Sequence, residues 1–145
     1  MFRFNIMAAK HSNAKEVCKI SQKVLGAEMP FEKMKTLFVE IIEDIEQIIM
    51  IAVHSGHTVG FIHARIVRDL VRGRYTEIVG IALLPYYRNR GCGISLIFAA
   101  EQWSSQMLVN KLQCNLKSDN EAVKSLLKKC GYLENGLEAF EKTIL

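Results

Sequence analysis

The sequence predicts an α/β fold (an α+β mixed sheet) with a central mixed sheet flanked by helices on both faces, in the order β-α-α-β-β-β-α-β-α-β-β. Three observations carry this. Two stretches with apolar residues at helical spacing precede a run of three strands. Those strands follow one another without a helix between them, which excludes a simple βαβ repeat. The last of them then passes through a glycine-containing loop straight into a helix, and strands and helices alternate to the end.

The elements follow in chain order. Phe2, Phe4 and Ile6 alternate with Arg3 and Asn5, the period of a strand. Asn13 and Glu16 form an N-x-x-E capping box ahead of Val17, Ile20 and Val24, and Gly26 and Pro30 end that helix. A second helix is expected from Phe31 to about Glu46, with its stripe on Phe31, Met34, Leu37 or Phe38, Ile41 and Ile45. Gln47 to His54 is almost wholly apolar, so it belongs in the centre of a sheet covered on both sides. His54-Ser55-Gly56-His57 reads as a hairpin turn into Thr58–Val67, and Tyr75–Leu83 is the next strand. A helix from about Ile94 to Gln106 follows, then a strand over Lys111–Leu116. Asp119 or Asn120 caps a last helix with Val123, Leu126, Leu127 and Cys130 on its apolar face, ended by Gly131. Tyr132-Leu133 and Phe140–Leu145 supply closing strands.

With 145 residues, 50% hydrophobic and 23% charged, the chain suits a single domain, 1–145, with one core. The longest apolar run, Ile48 to Val53, is far below the roughly 20 residues that span a bilayer. The N-terminus shows no charged start followed by a long apolar stretch, so neither a signal peptide nor a membrane partner is expected. Cys18, Cys92, Cys114 and Cys130 form no C-x-x-C pair, which suits free thiols in a reducing, cytoplasmic setting. His54-x-x-His57 spans the hairpin turn with no third ligand nearby in sequence, so no metal is expected. The net charge of +4 fits an anionic ligand as well as nucleic acid. Arg65, Arg68, Arg72 and Arg74 cluster, but they do not make the whole basic face that nucleic acid needs, and they read as a solvated loop.

The chemistry lies in Glu77-Ile-Val-Gly-Ile-Ala-Leu-Leu-Pro-Tyr-Tyr-Arg88-Asn-Arg-Gly91-Cys-Gly93. A strand, a loop with two glycines and a helix start bring free backbone N–H groups and a helix dipole to one place, and glycine lets an anion approach the backbone closely. Arg88 and Arg90 add positive charge, so the loop suits a pyrophosphate. It is not a Walker loop, because G-K-[ST] is missing, and no βαβ unit surrounds it as in a dinucleotide fold. Cys92 at a helix N-terminus is a candidate for a lowered thiol pKa, although a small residue tolerated in the loop is the simpler reading.

Ile81-Ala-Leu-Leu-Pro85-Tyr-Tyr-Arg88-Asn-Arg-Gly91-Cys-Gly93 resembles the R-x-x-G-x-G signature of the GNAT superfamily, the Gcn5-related N-acetyltransferases, and Asn120 through Gly131-Tyr132 fits its second signature in spacing. The resemblance covers essentially the whole chain and implies a single N-acetyltransferase domain that takes acetyl-CoA as co-substrate and needs no metal. It implies that backbone groups of Ile81, Ala82 and Leu83 pair with the pantetheine arm. It assigns the pyrophosphate to Arg88, Asn89, Arg90, Gly91, Cys92, Gly93 and Ile94, and a contact with the CoA arm to Asn120. Glu77-Ile78-Val79 resembles the E-I-V of the histone-acetylating branch, where the glutamate is the base. Beside Ile78, Val79 and Ile81 a carboxylate would feel apolar surroundings that suit such a base. One departure is Leu127, which stands where the family often has a tyrosine to protonate the leaving thiolate. The expected acceptor is a primary amine, in first place on a small molecule. A protein lysine or N-terminus is the nearest alternative, and a catalytically silent acetyl-CoA-binding module is another. The acceptor should lie near Leu25–Lys35 and Arg68–Arg74, and the resemblance also admits a homodimer.

Overall fold

A computed structural model describes residues 3–116, 120–136 and 141–143. The elements are β1 (Asn5–Ala8), α1 (Ala14–Leu25), α2 (Phe31–Glu43), β2 (Gln47–His54), β3 (His57–Asp69), β4 (Gly73–Leu83), α3 (Cys92–Gln106), β5 (Leu112–Cys114) and α4 (Glu121–Lys129), with short 3-10 turns at His11–Asn13 and Pro85–Tyr87. The strands form one sheet in the order β1-β2-β3-β4-β5. All neighbours are antiparallel except β4 and β5, which run parallel, so the sheet is mixed as expected.

The alternation of the central strands divides the molecule into two cores. Ile62 and Ala64 of β3 and Ile78 of β4 face one side, where Leu96, Ile97 and Ala100 of α3 and Leu127 of α4 cover them. Ile49 and Ile51 of β2 and Phe61 of β3 face the other, under Val17, Cys18, Ile20 and Phe38 of α1 and α2. Fully buried Ile51, Ile62, Ile78, Leu96 and Ile97 anchor both layers, each side chain contributing about 1.5–3 kcal/mol. A buried polar pair in the α3 layer is satisfied: Thr76 and Ser104 share a hydroxyl hydrogen bond of 2.6 Å, and the Ser104 hydroxyl also bonds Val109 O at 2.7 Å. Among the described residues no helix is long and apolar enough to cross a membrane.

Several local expectations change. Asn13 does not cap α1. Its Oδ1 instead accepts from Lys10 N at 2.8 Å and closes the preceding 3-10 turn. Glu16, the expected second half of that box, accepts from Thr58 N and Thr58 Oγ1 and so ties α1 to β3. Gly26 ends α1 at φ +70°, the left-handed conformation that favours glycine. Helix α2 stops at Glu43 because Asp44 turns extended, and its carboxylate accepts from Glu46 N at 2.9 Å and Gln47 Nε2 at 3.0 Å. Strand β1 lies at Asn5–Ala8 rather than from Phe2, which is outside the described residues. Strand β5 is shorter than Lys111–Leu116. Tyr132-Leu133 is not a strand, since Tyr132 N donates to Leu127 O and folds the chain back on α4. Of the expected last strand, Phe140, Ile144 and Leu145 lie outside the described residues, and 141–143 are not in a strand.

Candidate functional site

The site begins with a defect in the sheet. His63 lies opposite Gly80 and Ala64 opposite Ile78, so Val79 is an extra residue, a β-bulge in β4. Among the described residues, parallel pairing with β5 covers Thr76, Glu77 and Ile78. Past the bulge, β4 and β5 part company. Ile81, Ala82 and Leu83 there form one wall of a cleft of about 490 Å³. Arg88, Asn89, Gly91, Gly93 and Ile94 line it from the loop and helix start, and Asn120 from the start of α4.

The loop is shaped for a backbone approach. Gly91 is the N-cap of α3 at φ +86°, and a Cβ added there meets nothing within 4 Å, so the space beside it is open. The first backbone bond of the helix is Ser95 N to Gly91 O at 3.1 Å, which leaves the amides of Cys92, Gly93 and Ile94 ahead of the intrahelical ladder. Gly93 has the opposite reason to be glycine. A Cβ there would lie 2.7 Å from Leu126 Cδ2 and 3.2 Å from Leu83 Cδ1, so its absence lets α3, α4 and β4 meet.

The two arginines separate. Arg88 lines the cleft. Arg90 turns back, donating from Nε to Tyr86 O at 2.9 Å with its guanidinium 4.9 Å from the Tyr86 ring centroid. The Cys92 side chain is wholly buried in the α3 core, and that burial pushes its thiol up to about 11. Desolvation of the thiolate thus runs against the lowered thiol pKa that the helix N-terminus suggested. Asn120 caps α4, accepting from Val123 N at 3.3 Å. Leu25 of α1, at the start of the segment expected near the acceptor, lines the cleft, and so do Ser125 and Lys129 of α4, which the sequence reading missed. Lys129 was legible only as a polar residue opposite the apolar stripe of α4.

The α1 side of the sheet beside the bulge is polar. Glu77 does not sit among Ile78 and Ile81, which point to the α3 core. Its Oε1 accepts from Arg65 Nε at 2.7 Å and its Oε2 from Asn115 Nδ2 at 3.3 Å. Gln113 continues this network, donating to Asn115 Oδ1 and accepting from Arg72 Nη1. The arginine cluster is largely matched by acids: Arg65 with Glu77, Arg68 with Glu46 and Arg72 with Asp69. His63 bonds through Nε2 to Gln47 Oε1 at 2.8 Å, and burial, aided by Arg65 and opposed by Glu77, lowers its pKa to about 4.

Other singled-out residues lie apart from the cleft. Leu127 is buried in the α3 core. It also lines a larger groove of about 700 Å³ on the far side of α4, with Leu112, Cys114 and Tyr132. Gly136, at φ +73°, lines that groove, but no helix start does, so its size does not make it the anion site. The Tyr132 phenol donates to Glu101 Oε2 at 2.8 Å, and burial and this bond hold it well above the ordinary tyrosine range. His54 Nδ1 lies 3.0 Å from Arg3 O, and its ring packs between Phe4 and Tyr87. Among the described residues no group of three or more His, Cys, Asp or Glu is placed to hold a metal ion.

The lowered pKa of His63 makes a stability prediction. Between about pH 6.5 and pH 4 the unfolded ring binds a proton that the folded ring does not, so stability falls as pH is lowered through that window, by at most about 3 kcal/mol. Denaturant unfolding of wild type and His63→Gln at about pH 7 and pH 4 should show a steeper acid loss in wild type. Parallel losses would contradict the placement of the ring.

The sequence matches the acetyltransferase (GNAT) family over residues 16–132. No curated protein matches it. Among solved structures, the aminoglycoside N-acetyltransferase AAC(6')-Iy in complex with CoA superposes with a TM-score of 0.89 at 20% identity, over 99% of this chain and 96% of that one. The aminoglycoside 6'-N-acetyltransferase AAC(6')-Ih of Acinetobacter baumannii gives 0.85 at 19% identity, over 98% and 99%. Glucosamine-6-phosphate N-acetyltransferase of Arabidopsis thaliana gives 0.78 at 16%, over 97% and 98%. With the family matched across most of its length, and with the split sheet and glycine-capped helix where that family's signature falls, the chain belongs to the GNAT acetyltransferases.

Proposed function

We propose that this chain, as one N-acetyltransferase domain, moves the acetyl group of acetyl-CoA to a primary amine of a small molecule by direct attack. The observation that carries the reading is the continuity of the cleft. One wall is the edge of β4 past the bulge, and at its end stand the free amides of the α3 N-terminus. Three of the similar solved structures support the acceptor class. One is an aminoglycoside N-acetyltransferase in complex with CoA, another the same enzyme with the bisubstrate analogue CoA-S-monomethyl-acetylneamine, and the third a glucosamine-6-phosphate N-acetyltransferase. The four free cysteines agree with a reducing, cytoplasmic setting.

In this reading the backbone of Ile81, Ala82 and Leu83 takes the pantetheine arm as an added strand. Arg88 and the amides from Gly91 to Ile94 hold the pyrophosphate, and Asn120 and Lys129 stand at the opposite wall. The amine nitrogen attacks the thioester carbonyl, the C–S bond breaks, and CoA leaves as a thiolate. The proton lost by the amine goes to Glu77, directly or through one water. Each Glu77 oxygen already accepts one protein hydrogen bond and has a second lone pair to offer. Leu127 supplies no proton to the sulfur. With a free thiol pKa of about 8.5, departure as thiolate near pH 7 costs only about 1.4 to 2 kcal/mol, which does not stop turnover.

Two variants test the two halves. Gly91→Val forces a β-branched residue to φ +86°, so calorimetry should show acetyl-CoA affinity reduced about tenfold or more in a folded protein. Unchanged affinity removes the loop from the binding site. Glu77→Gln should keep acetyl-CoA affinity within about twofold while turnover falls on the order of a hundredfold, most clearly below the pKa of the acceptor amine. Equal turnover across that range would transfer the role of base to another group.

A further inference from the structure

Across from Gly80, at the residue where β4 leaves β5, stands a histidine whose tautomer the fold determines. His63 shares the α1 side of the sheet with Phe61 and Arg65, because all three alternate along β3. Its neighbour Gly80 has no side chain, a Cβ there would meet only Leu25 Cδ1, at 3.7 Å, and His63 itself is only half-buried.

The tautomer follows from a chain of donors and acceptors. The Asp44 carboxylate can only accept, and it accepts from Gln47 Nε2 at 3.0 Å. That contact orients the Gln47 amide so that its oxygen, an acceptor only, faces His63 Nε2 at 2.8 Å. His63 Nε2 must therefore carry the hydrogen, and in the neutral ring Nδ1 keeps a lone pair. Asp44 is anchored in turn by Glu46 N, in the turn that ends α2 and starts β2. The charged groups that act on the ring are Arg65 on its own strand and Glu77 from β4.

We propose that His63 Nδ1 accepts a hydrogen bond from the acceptor amine and aims its nitrogen lone pair at the thioester, with the Asp44–Gln47 pair acting as the positioning relay that fixes the ring. The inference rests on the acetyl-transfer reading above, which places the thioester at the end of the Ile81–Leu83 edge and so next to Gly80. A neutral acceptor suits this task. An imidazolium there would repel a cationic amine and would donate where the nucleophile must donate. His63 thus favours amines that carry an N–H to donate as they attack, primary or secondary, over tertiary ones. Glu77, on the same side of the sheet, receives the proton that the attack releases.

The test combines spectroscopy with kinetics. In protein labelled with 15N-histidine, the His63 ring should show protonated Nε2 and unprotonated Nδ1 at neutral pH. Gln47→Met should shift it toward a mixture of tautomers. With neamine, glucosamine 6-phosphate and a short alkyl diamine as probes, His63→Asn should lower kcat/KM for the amine about tenfold or more while the KM for acetyl-CoA stays within about twofold. Gln47→Met, which keeps the ring and removes its orientation, should lose part of the same parameter in a protein that stays folded. Wild-type activity on a probe with an equal kcat/KM for His63→Asn overturns the proposal alone, as does a ring protonated on Nδ1. Wild type that transfers to none of the probes overturns the acetyl-transfer reading for small amines, and this proposal with it.

Discussion

The structure depends on one interruption of backbone pairing. Strand β4 is bonded to β5 as far as Ile78, and the extra residue Val79 then turns it away. A strand edge within a sheet is energetically incomplete, since each buried amide or carbonyl left without a partner costs as much as a lost hydrogen bond. The edge from Ile81 to Leu83 therefore needs either solvent or an extended ligand. Everything else in the site is arranged around that vacancy in the ladder. The loop Arg88–Gly93 carries the chain from the end of β4 to the start of α3, and Gly93 allows α4 to close on both.

The bulge also divides labour between the two faces of β4. On the α3 side, Ile78 and Ile81 are core, and Cys92, Leu96 and Leu127 pack there. On the α1 side the side chains of Glu77, Arg65, His63 and Gln47 form a polar floor with paired hydrogen bonds. In the proposed reading, binding of the cofactor arm and handling of the amine use different surfaces of one strand. In that reading the side chains of Leu127 and Cys92, prominent in sequence, take no part in the chemistry: both belong to the layer that holds β4 in place.

Much of this was legible in the sequence. The apolar stretch Gln47–His54 and the turn at Ser55-Gly56 gave β2 and its hairpin to the residue. A glycine turn between strand and helix often serves geometry alone, and the loop before α3 was legible because a second motif, Asn120 through Gly131-Tyr132, follows it in order. Boundaries set by side-chain hydrogen bonds were not legible. Asn13 and Glu16 have the spacing of a capping box, but Glu16 finds Thr58, forty-two positions away, a better pair of donors. Helix α2 could have run to Glu46 by periodicity, and Asp44 stops it by capturing Glu46 N and Gln47 Nε2. The setting of Glu77 was misread for a related reason. Its sequence neighbours are apolar, but in a strand they point away from it, and its true neighbours come from Arg65 and Asn115 on the adjoining strands. His63 gave no signal at all, because its role depends on a register that only the paired strands define.

The central claim is that acetyl-CoA completes the split sheet, and amide hydrogen exchange tests it most directly. Addition of acetyl-CoA should slow exchange at amides within Ile81–Leu83 and Gly91–Ile94, while Thr76 to Ile78, already paired with β5, should change little. Protection confined to the groove beyond α4, around Leu112, Cys114 and Tyr132, with Ile81–Leu83 unaffected, would contradict the account.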